Sequence, residues 1–340
     1  MGKSTRTALW LGAAVVVLAT AAGAVMSVAT VGMAQDLPRT LVTRYLTALE
    51  HGKAEQAMRI AGIHRSAGDI LLTDTAYAKA THRITSFTVG RPVTRSGRTT
   101  VEAVLTQGDQ EQRRTFAFER TGGLPGVPLW RMAKVAPDTV SFEVQAPDGM
   151  TYSIAGVRPE KQALRTIVSL RALPGSYPMS FTSPDDAYRI WDADVASSPS
   201  DRTKTIRFPA QLSSDGDTAA RAAVDAWLDA CLATTVPDPA GCPFVVDDTT
   251  DDGYTVSGVQ WKLDHRPFVS VDTGWAHGGW MVSSDEGTIE ASGTVTSPAD
   301  GSTGTASTDP FSFEYFGFVT FDSDGTAVFT PQYDDGTTQG

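Results

Sequence analysis

One uncharged stretch, residues 7–35, constrains this chain more than any other feature. About 20 apolar residues at a rise of 1.5 Å per residue cross a hydrocarbon core of ~30 Å, so this stretch is long enough to span a bilayer with some tilt. Lys3 and Arg6 precede it and Asp36 follows it. Because positive residues favour the cytoplasmic side, we predict a single-pass cell-membrane protein. Its cytoplasmic tail is residues 1–6, its transmembrane helix is residues 7–35, and its other domains are extracytoplasmic.

The same stretch has an alternative interpretation as a cleaved signal peptide. Small-x-small sites occur at residues 27–29 and 32–34. However, the apolar region of a signal peptide normally covers only about 7 to 15 residues. The length and continuity of the stretch favour a retained anchor, and the lack of a nearby cysteine argues against a lipoprotein.

The net charge of −11 is unevenly distributed along the chain. Residues 36–135 carry +6, residues 136–210 carry −1 and residues 211–340 carry −18. An asymmetry of this size indicates modular organisation. The acidic excess argues against nucleic acid as a partner, because phosphate binding needs a basic face. Most acids after position 210 are Asp, which favours turns and strand ends over helices.

Residues 36–136 are predicted to form an α+β domain. Apolar residues recur there at helical spacing, at Leu41, Val42, Tyr45, Leu46 and Leu49. β-branched and aromatic runs separated by Gly, Pro and polar clusters follow. Helices before an antiparallel meander are typical of helices packed on one face of a sheet. We predict helices at 38–51, 53–61 and 73–80, and strands at 84–89, 99–106, 113–120 and 129–135.

This region resembles the small extracytoplasmic NTF2-like domains of bacterial membrane-anchored proteins. The resemblance rests on the pattern Val42-x-x-Tyr45-Leu46-x-Ala48-Leu49-x-x-Gly52, on the segment KAEQAMRIA beginning at Lys53, and on Trp130-Arg131 in a closing strand. It implies a conical fold with a pocket between helices and sheet. Members of this family use that pocket for ligand binding, for catalysis or only as a spacer.

The rest of the chain is predicted to hold two further modules. Residues 137–210 contain alternating runs and fit a small β-sandwich, although 160–170 is ambiguous between helix and loop or strand. Residues 211–340 begin with a helix capped by Asp217 or Thr218, and a curved antiparallel sheet follows. This acidic module is similar to a cystatin-like or NTF2-like α+β arrangement. Its strands are predicted at 254–263, 268–272, 279–284, 287–296, 311–321 and 326–331, with a turn near 322–325.

Cys231 and Cys242 are the only cysteines. Outside the membrane, two cysteines in one module favour a disulfide over free buried thiols. A zinc site needs about four close N, S or O ligands, and the histidines are scattered, so no metal site and no cofactor are predicted.

The densest acidic run contains Asp247, Asp248, Asp251 and Asp252. Its spacing copies the start of an EF-hand loop, but the twelfth position is Val259, where a bidentate carboxylate is required. The pattern favours a solvated acidic loop, with weak calcium binding as the alternative hypothesis.

Aromatic residues in the acidic module are candidates for ligand binding. Trp275, His277 and Trp280 could form an aromatic platform for a sugar, with His277 as a donor, or the tryptophans could anchor a Gly-rich connection on the core. Phe316 and Phe318 lie opposite the core-facing aromatic residues of their strand. They are expected to meet a neighbouring module or to line a pocket.

No catalytic residue is assigned, because the chain has no G-x-S-x-G, S-x-x-K, H-E-x-x-H, P-loop or G-x-G-x-x-G motif. We predict a binding or interaction protein of the bacterial cell envelope whose partner is a protein or a cell-wall ligand. The alternatives are an enzyme that uses an NTF2-like pocket, and an accessory subunit of a membrane complex.

Overall fold

A computed structural model describes residues 37–124, 127–198 and 204–332. Across these ranges the chain is a mixed α+β protein with few helices and many strands. Within them, no helix combines the length and the apolar character that crossing a membrane requires. The predicted tail, residues 1–6, and the predicted transmembrane helix, residues 7–35, lie outside the described residues.

Four helices occur in the described ranges: α1 (residues 37–50), α2 (Ala54–Ala61), α3 (Asp74–Lys79) and α4 (Ser214–Leu232). The predicted apolar face of α1 is buried, as shown by Val42, Tyr45, Leu46 and Leu49. Helix α3 begins after Thr73, whose hydroxyl accepts the amide of Ala76 at 3.0 Å, an N-cap. The helical periodicity therefore predicted this part of the chain correctly.

A five-stranded antiparallel sheet follows the first three helices. Its order is β1-β3-β4-β5, with β2 paired to β3. The ring of Tyr45 on α1 meets Phe116 of this sheet edge-on, with 5.8 Å between ring centres. The strands are β1 (Ile84–Val89), β2 (Val93–Arg95), β3 (Arg98–Gln107), β4 (Gln110–Leu124) and β5 (Val127–Met132).

Two three-stranded sheets form the middle of the chain, in the orders β11-β9-β7 and β12-β6-β8. The β12–β6 pair is parallel, and the other pairs in these sheets are antiparallel. The ambiguous segment 160–170 has no helix and enters strand β8. The strands are β6 (Asp138–Gln145), β7 (Thr151–Ile154), β8 (Ile167–Ala172), β9 (Ser176–Thr182), β10 (Tyr188–Arg189), β11 (Ala193–Ala196) and β12 (Thr205–Pro209).

The last part of the chain divides its strands between two sheets. A six-stranded sheet has the order β10-β13-β15-β16-β20-β21, so a strand from the middle stretch joins it. A four-stranded sheet has the order β14-β17-β18, with β19 also paired to β17. The remaining strands are β13 (Gln211–Leu212), β14 (Thr255–His265), β15 (Val269–Ala276), β16 (Gly279–Ser284), β17 (Gly287–Thr296), β18 (Thr303–Ser307), β19 (Phe311–Phe313), β20 (Phe316–Phe321) and β21 (Ala327–Gln332).

The single strand predicted at 311–321 is wrong, because the segment forms two strands in different sheets. At the break, the amide of Tyr315 donates to the hydroxyl of Ser284 at 2.9 Å, and its carbonyl accepts the amide of Ser284 at 3.0 Å. Phe313 and Tyr315 are both buried, so the two-residue alternation continues through the break and hides it from pattern analysis.

Helix α4 begins earlier than predicted. Its N-cap is Ser213, whose hydroxyl accepts the amide of Gly216 at 3.0 Å. Asp215 and Asp217 in the first turn complement the helix dipole. The helix packs on β15 and β21 through a buried face that includes Val224 and Leu228.

The buried hydrophobic residues of the three predicted modules belong to one contiguous cluster. Thr81, after α3, forms an isolated antiparallel bridge with Ser176 of β9, with both amide bonds at 2.8 Å. The hydroxyl of Tyr77 donates to the carbonyl of Pro174 at 3.1 Å across the same junction. These contacts fix the middle sheets against the first module.

Candidate functional site

A cleft of about 660 Å³ lies where loops of the middle sheets meet hairpins of the six-stranded sheet. Its volume is in the range of ligand pockets, which often occur between modules. We call it the hairpin cleft. It is lined by Pro147, Asp148, Gly149, Arg165, Pro184, Asp185, Tyr188, Trp275, Gly278, Trp280, Thr320, Phe321, Asp322 and Ser323.

The β15–β16 hairpin places both tryptophans at this cleft. His277 and Gly278 have φ angles of 51° and 98°, and such a pair of positive φ angles makes the tight return of a two-residue hairpin. The return sets Trp275 directly opposite Trp280. The carbonyl of Ala210 accepts the amide of Trp275 at 2.7 Å and the indole N–H of Trp280 at 3.3 Å. Both tryptophans are therefore held by the same backbone oxygen.

An aromatic cluster forms the floor of the hairpin cleft. The ring of Trp280 lies 5.2 Å from that of Tyr188 and 5.4 Å from that of Phe321. Trp280 is fully buried, and Trp275 and Tyr188 are nearly so. Burial raises the pKa of Tyr188, and the nearby charge of Asp185 adds to that effect. The floor is thus built from mutually packed, uncharged aromatic side chains.

Arg165 forms one wall of the cleft in an unusual backbone conformation. Its φ is 59°, a left-handed value that costs a non-Gly residue about 1 kcal/mol or more. Its amide donates to the carbonyl of Val144 at 2.7 Å, and its guanidinium donates to Ala146 O at 3.0 Å and to Asp148 Oδ1 at 2.7 Å. The same guanidinium lies 5.8 Å from the centre of the Trp275 ring. Arg165 therefore connects the middle sheets to the six-stranded sheet.

The wall of the hairpin cleft carries more acid than base. Asp148 is paired with Arg165, whereas Asp185 and Asp322 have no ion-pair partner among the described residues. Within the described part of the chain, the hydrogen bonds to these carboxylates come from backbone amides, from Ala187 at 2.6 Å and from Thr326 at 2.8 Å. Asp322 is exposed and Asp185 is half-buried, so both carboxylates line the cleft without a neutralising partner among the described residues.

Only some of the aromatic residues predicted as ligand-binding candidates line the hairpin cleft. Trp275 and Trp280 line the hairpin cleft, and His277 lies beside it at the exposed tip of the hairpin. Phe316 and Phe318 lie away from it on β20, where Phe318 pairs with Met281, and Phe316 is 44 % exposed. The burial of both tryptophans matches the anchoring alternative, and sugar binding at these residues stays a prediction.

The predicted disulfide is confirmed, because Cys231 and Cys242 are bonded with 5.6 Å between their Cα atoms. The bond ties the end of α4 to the loop that follows. The indole N–H of Trp227 donates to the carbonyl of Gly241 at 3.0 Å, one residue before the bridge. The loop is therefore held to α4 by a covalent bond and a hydrogen bond.

The four aspartates predicted as a weak calcium site lie on the same loop. Among the described residues, no group of three or more His, Cys, Asp or Glu side chains is placed to hold a metal ion. Asp247 and Asp251 line a second, smaller cleft, whereas Asp248 and Asp252 do not. Calcium binding at these residues stays a prediction.

A largely buried ion pair lies between the first helices and the middle sheets. Arg114 donates to Asp138 at 2.8 Å, and Asp138 also accepts the hydroxyl of Ser197 at 3.4 Å. Desolvation by burial raises the pKa of the nearby Tyr45 to about 12, the charge of Arg114 opposes that shift, and the charge of Asp138 adds to it. Tyr45 therefore stays protonated at neutral pH.

Sequence reasoning missed Asp148, Arg165, Asp185 and Asp322. Each belongs to a loop or a hairpin, and two of them stand in Pro-Asp segments that read only as turns. Nothing in the local pattern joins residue 148 to residue 322, because the sheets that bring them together are built from distant strands.

Comparison of the whole chain with protein-family models, with curated proteins and with solved structures finds no match.

Proposed function

We propose that this chain is a binding protein of the bacterial cell envelope and that it holds a saccharide in the hairpin cleft. One observation carries the proposal: Arg165 and Asp148 form an ion pair at 2.7 Å beside Trp275. The same cleft also has two carboxylates without an ion-pair partner among the described residues. A guanidinium supplies donors and carboxylates supply acceptors, and a ligand with many hydroxyls uses both. The aromatic residues and the prolines of the cleft supply apolar surface against the sugar ring.

We also propose that the chain is anchored by residues 7–35 with its N-terminus in the cytoplasm. The Cys231–Cys242 disulfide supports an oxidising compartment for the folded part, because disulfides are rare in the cytosol. Within this proposal the first module is NTF2-like, the middle sheets are a small β-sandwich and the last module is a cystatin-like or NTF2-like α+β unit. The helices before β1–β5 and the two middle sheets support that division.

Protease accessibility tests the orientation. Protease added to spheroplasts that express the full chain should digest residues 37–332, and lysis should add no further digestion of them. A folded part that is digested only after lysis would overturn the proposed orientation.

Titration of the detergent-solubilised full chain with chitotetraose, a soluble tetramer of N-acetylglucosamine, tests the ligand class. We expect saturable heat by calorimetry. Asp185→Asn and Asp322→Asn keep an acceptor for the backbone amide but remove a charge, and each should weaken binding about tenfold, since a hydrogen bond to a charged group contributes about 1.5–3 kcal/mol.

Trp191→Phe is a control for the effect of a substitution outside the hairpin cleft. Trp191 is 58 % exposed, lies outside the hairpin cleft and has the guanidinium of Arg189 3.8 Å above its ring. Its replacement should leave chitotetraose affinity within about twofold. An equal loss of affinity in all three variants, or the absence of heat with chitotetraose and with cellotetraose, would overturn the saccharide proposal.

A further inference from the structure

A second cleft, of about 310 Å³, lies between the loop that follows α4 and the four-stranded sheet. We call it the loop cleft. Its position is distinct from the hairpin cleft, and the two share no lining residue. It is lined by Val246, Asp247, Thr249, Thr250, Asp251, Val256, Val259, Ala291, Ser292, Gly293, Val295, Ala306, Ser307 and Thr308.

The loop wall of this cleft is held in place before any ligand arrives. The disulfide fixes Cys242, and Phe244 then packs on Trp261 and Phe313 with ring centres 4.6 Å and 5.5 Å away. The amide of Val246 donates to the carbonyl of Pro237 at 3.0 Å, and Thr249 bridges to Thr255. A wall that is already ordered spares a ligand the entropy cost of ordering it.

The floor of the loop cleft is aliphatic. Six of its lining residues are valine or alanine, and the others are hydroxyl residues, one glycine and two aspartates. No described lining residue is aromatic, and none is Lys, Arg or His. Such a floor suits a slender alkyl chain, since each buried CH₂ group contributes about 0.8 kcal/mol.

The charge of the loop cleft is uncompensated. The side chains of Asp247 and Asp251 are exposed, and neither makes a hydrogen bond or an ion pair within the described part of the chain. Residues 211–340 carry −18 in all, so their long-range field attracts cations toward this face. An aliphatic floor with free carboxylates at its edge matches a ligand that is apolar along its length and positive at its end.

We propose that the loop cleft binds an aliphatic ammonium ion, with the alkyl chain against the valines and the ammonium group paired with Asp247 or Asp251. A free diamine and the side chain of a lysine in a partner share this chemistry. The cleft volume suits one such chain, and the hydroxyls of Thr249, Thr250 and Ser307 can accept further ammonium hydrogens.

Calorimetric titration of the detergent-solubilised full chain with 1,5-diaminopentane tests the proposal, with empty micelles as the blank. The diamine should bind at least tenfold more tightly than 1,5-pentanediol, which has the same chain length and no charge. Raising the salt concentration should weaken diamine binding, because the carboxylates are exposed.

Two double variants in the same loop remove equal charge, one inside the loop cleft and one outside it. The double variant Asp247→Asn/Asp251→Asn should weaken diamine binding about tenfold or more. The double variant Asp248→Asn/Asp252→Asn removes the same charge from the same loop outside the cleft and should change the affinity by less than about twofold. Equal losses in both double variants would mean general charge attraction only and would overturn the proposal.

A steric variant and a calcium arm complete the test. Ala306→Leu adds bulk at an exposed edge-strand position inside the cleft, so it should weaken binding about tenfold while leaving the fold intact.

Equal heats for diamine and diol would overturn the role of charge. Calcium binding lost specifically in Asp247→Asn/Asp251→Asn, without any diamine binding, would replace the proposal with an inorganic cation site. A 1,5-diaminopentane response retained in the Asp185→Asn variant would separate this site from the hairpin cleft.

Discussion

The guanidinium of Arg165 lies 5.8 Å from the centre of the Trp275 ring, and this contact joins a loop of the middle sheets to the six-stranded sheet. The same group is bonded to Asp148 at 2.7 Å and to the carbonyl of Ala146 at 3.0 Å. Arg165 holds these contacts from a left-handed backbone, with φ at 59°. The contacts thus offset a conformational cost that the local chain would otherwise avoid.

Replacing Arg165 by Gly and by Ala separates its backbone cost from its contacts. Both variants lose the guanidinium, but only Gly adopts φ near 59° without strain. Arg165→Gly should therefore be more stable than Arg165→Ala by about 1 kcal/mol in urea unfolding. At Arg171 in β8 the order should reverse, because Gly weakens a regular strand. The same order at both positions would contradict the proposed strain.

Replacing Gly216 in α4 by Ala is expected to destabilise the protein, although helix propensity alone favours Ala. Ala is a better helix former than Gly by about 1 kcal/mol. Here, however, a Cβ at position 216 would overlap the carbonyl oxygen of Ala187. Gly216→Ala should therefore destabilise the protein by about 1–3 kcal/mol in urea unfolding, as overpacking does. Thr218→Ala, in the same turn, should change stability by less than about 0.5 kcal/mol. A stabilised Gly216→Ala variant would show that Ala187 moves away freely.

Removing the disulfide should lower stability by about 3 kcal/mol, because the bond closes a short loop. The Cys231→Ser/Cys242→Ser variant should show this loss in urea unfolding, and a reducing agent should then have no further effect on it. The same variant should bind 1,5-diaminopentane less tightly, since the loop wall of the loop cleft loses its tether. Chitotetraose binding should be unchanged, and a parallel loss of both activities would indicate global unfolding instead.

Tyr45 is expected to make stability fall at alkaline pH. Its folded-state pKa is raised to about 12, mainly by burial, above an ordinary value of 10.0. A raised pKa stabilises the fold below pH 10, and this contribution is lost as the pH rises through about 12. Tyr45→Phe should therefore reduce the fall in unfolding free energy between pH 10 and pH 12. An unchanged pH profile in that range would mean that folding does not raise the pKa of Tyr45.

The local sequence pattern was sufficient to predict the helices and strands that depend on residues close together in the sequence. The α1 face at Val42, Tyr45 and Leu49 is buried as its spacing predicts, and β16 and β17 occupy the predicted ranges 279–284 and 287–296. Helical and strand periodicity depend on residues a few positions apart, so a single sequence carries that information.

The hairpin cleft could not be found in that way. Asp148, Arg165 and Asp322 meet only because the middle sheets pack against the six-stranded sheet. Each of these residues, taken alone, reads as an ordinary turn or surface residue. The break in the strand predicted at 311–321 was missed for a related reason. Strand β19 pairs with β17 and strand β20 pairs with β16, but the alternation between buried and exposed residues continues across the break.

The sequence by itself determined the α+β character, the cysteine pair and the uneven charge, including −18 in residues 211–340. Composition and short-range spacing decide these properties, because they need no knowledge of which distant strands pair. Only the tertiary structure decided which carboxylates have no ion-pair partner among the described residues and also line a cleft: Asp185 and Asp322 in one cleft, and Asp247 and Asp251 in the other. Long-range strand pairing and burial set the surroundings of each carboxylate, and those surroundings decide which carboxylates can meet a ligand.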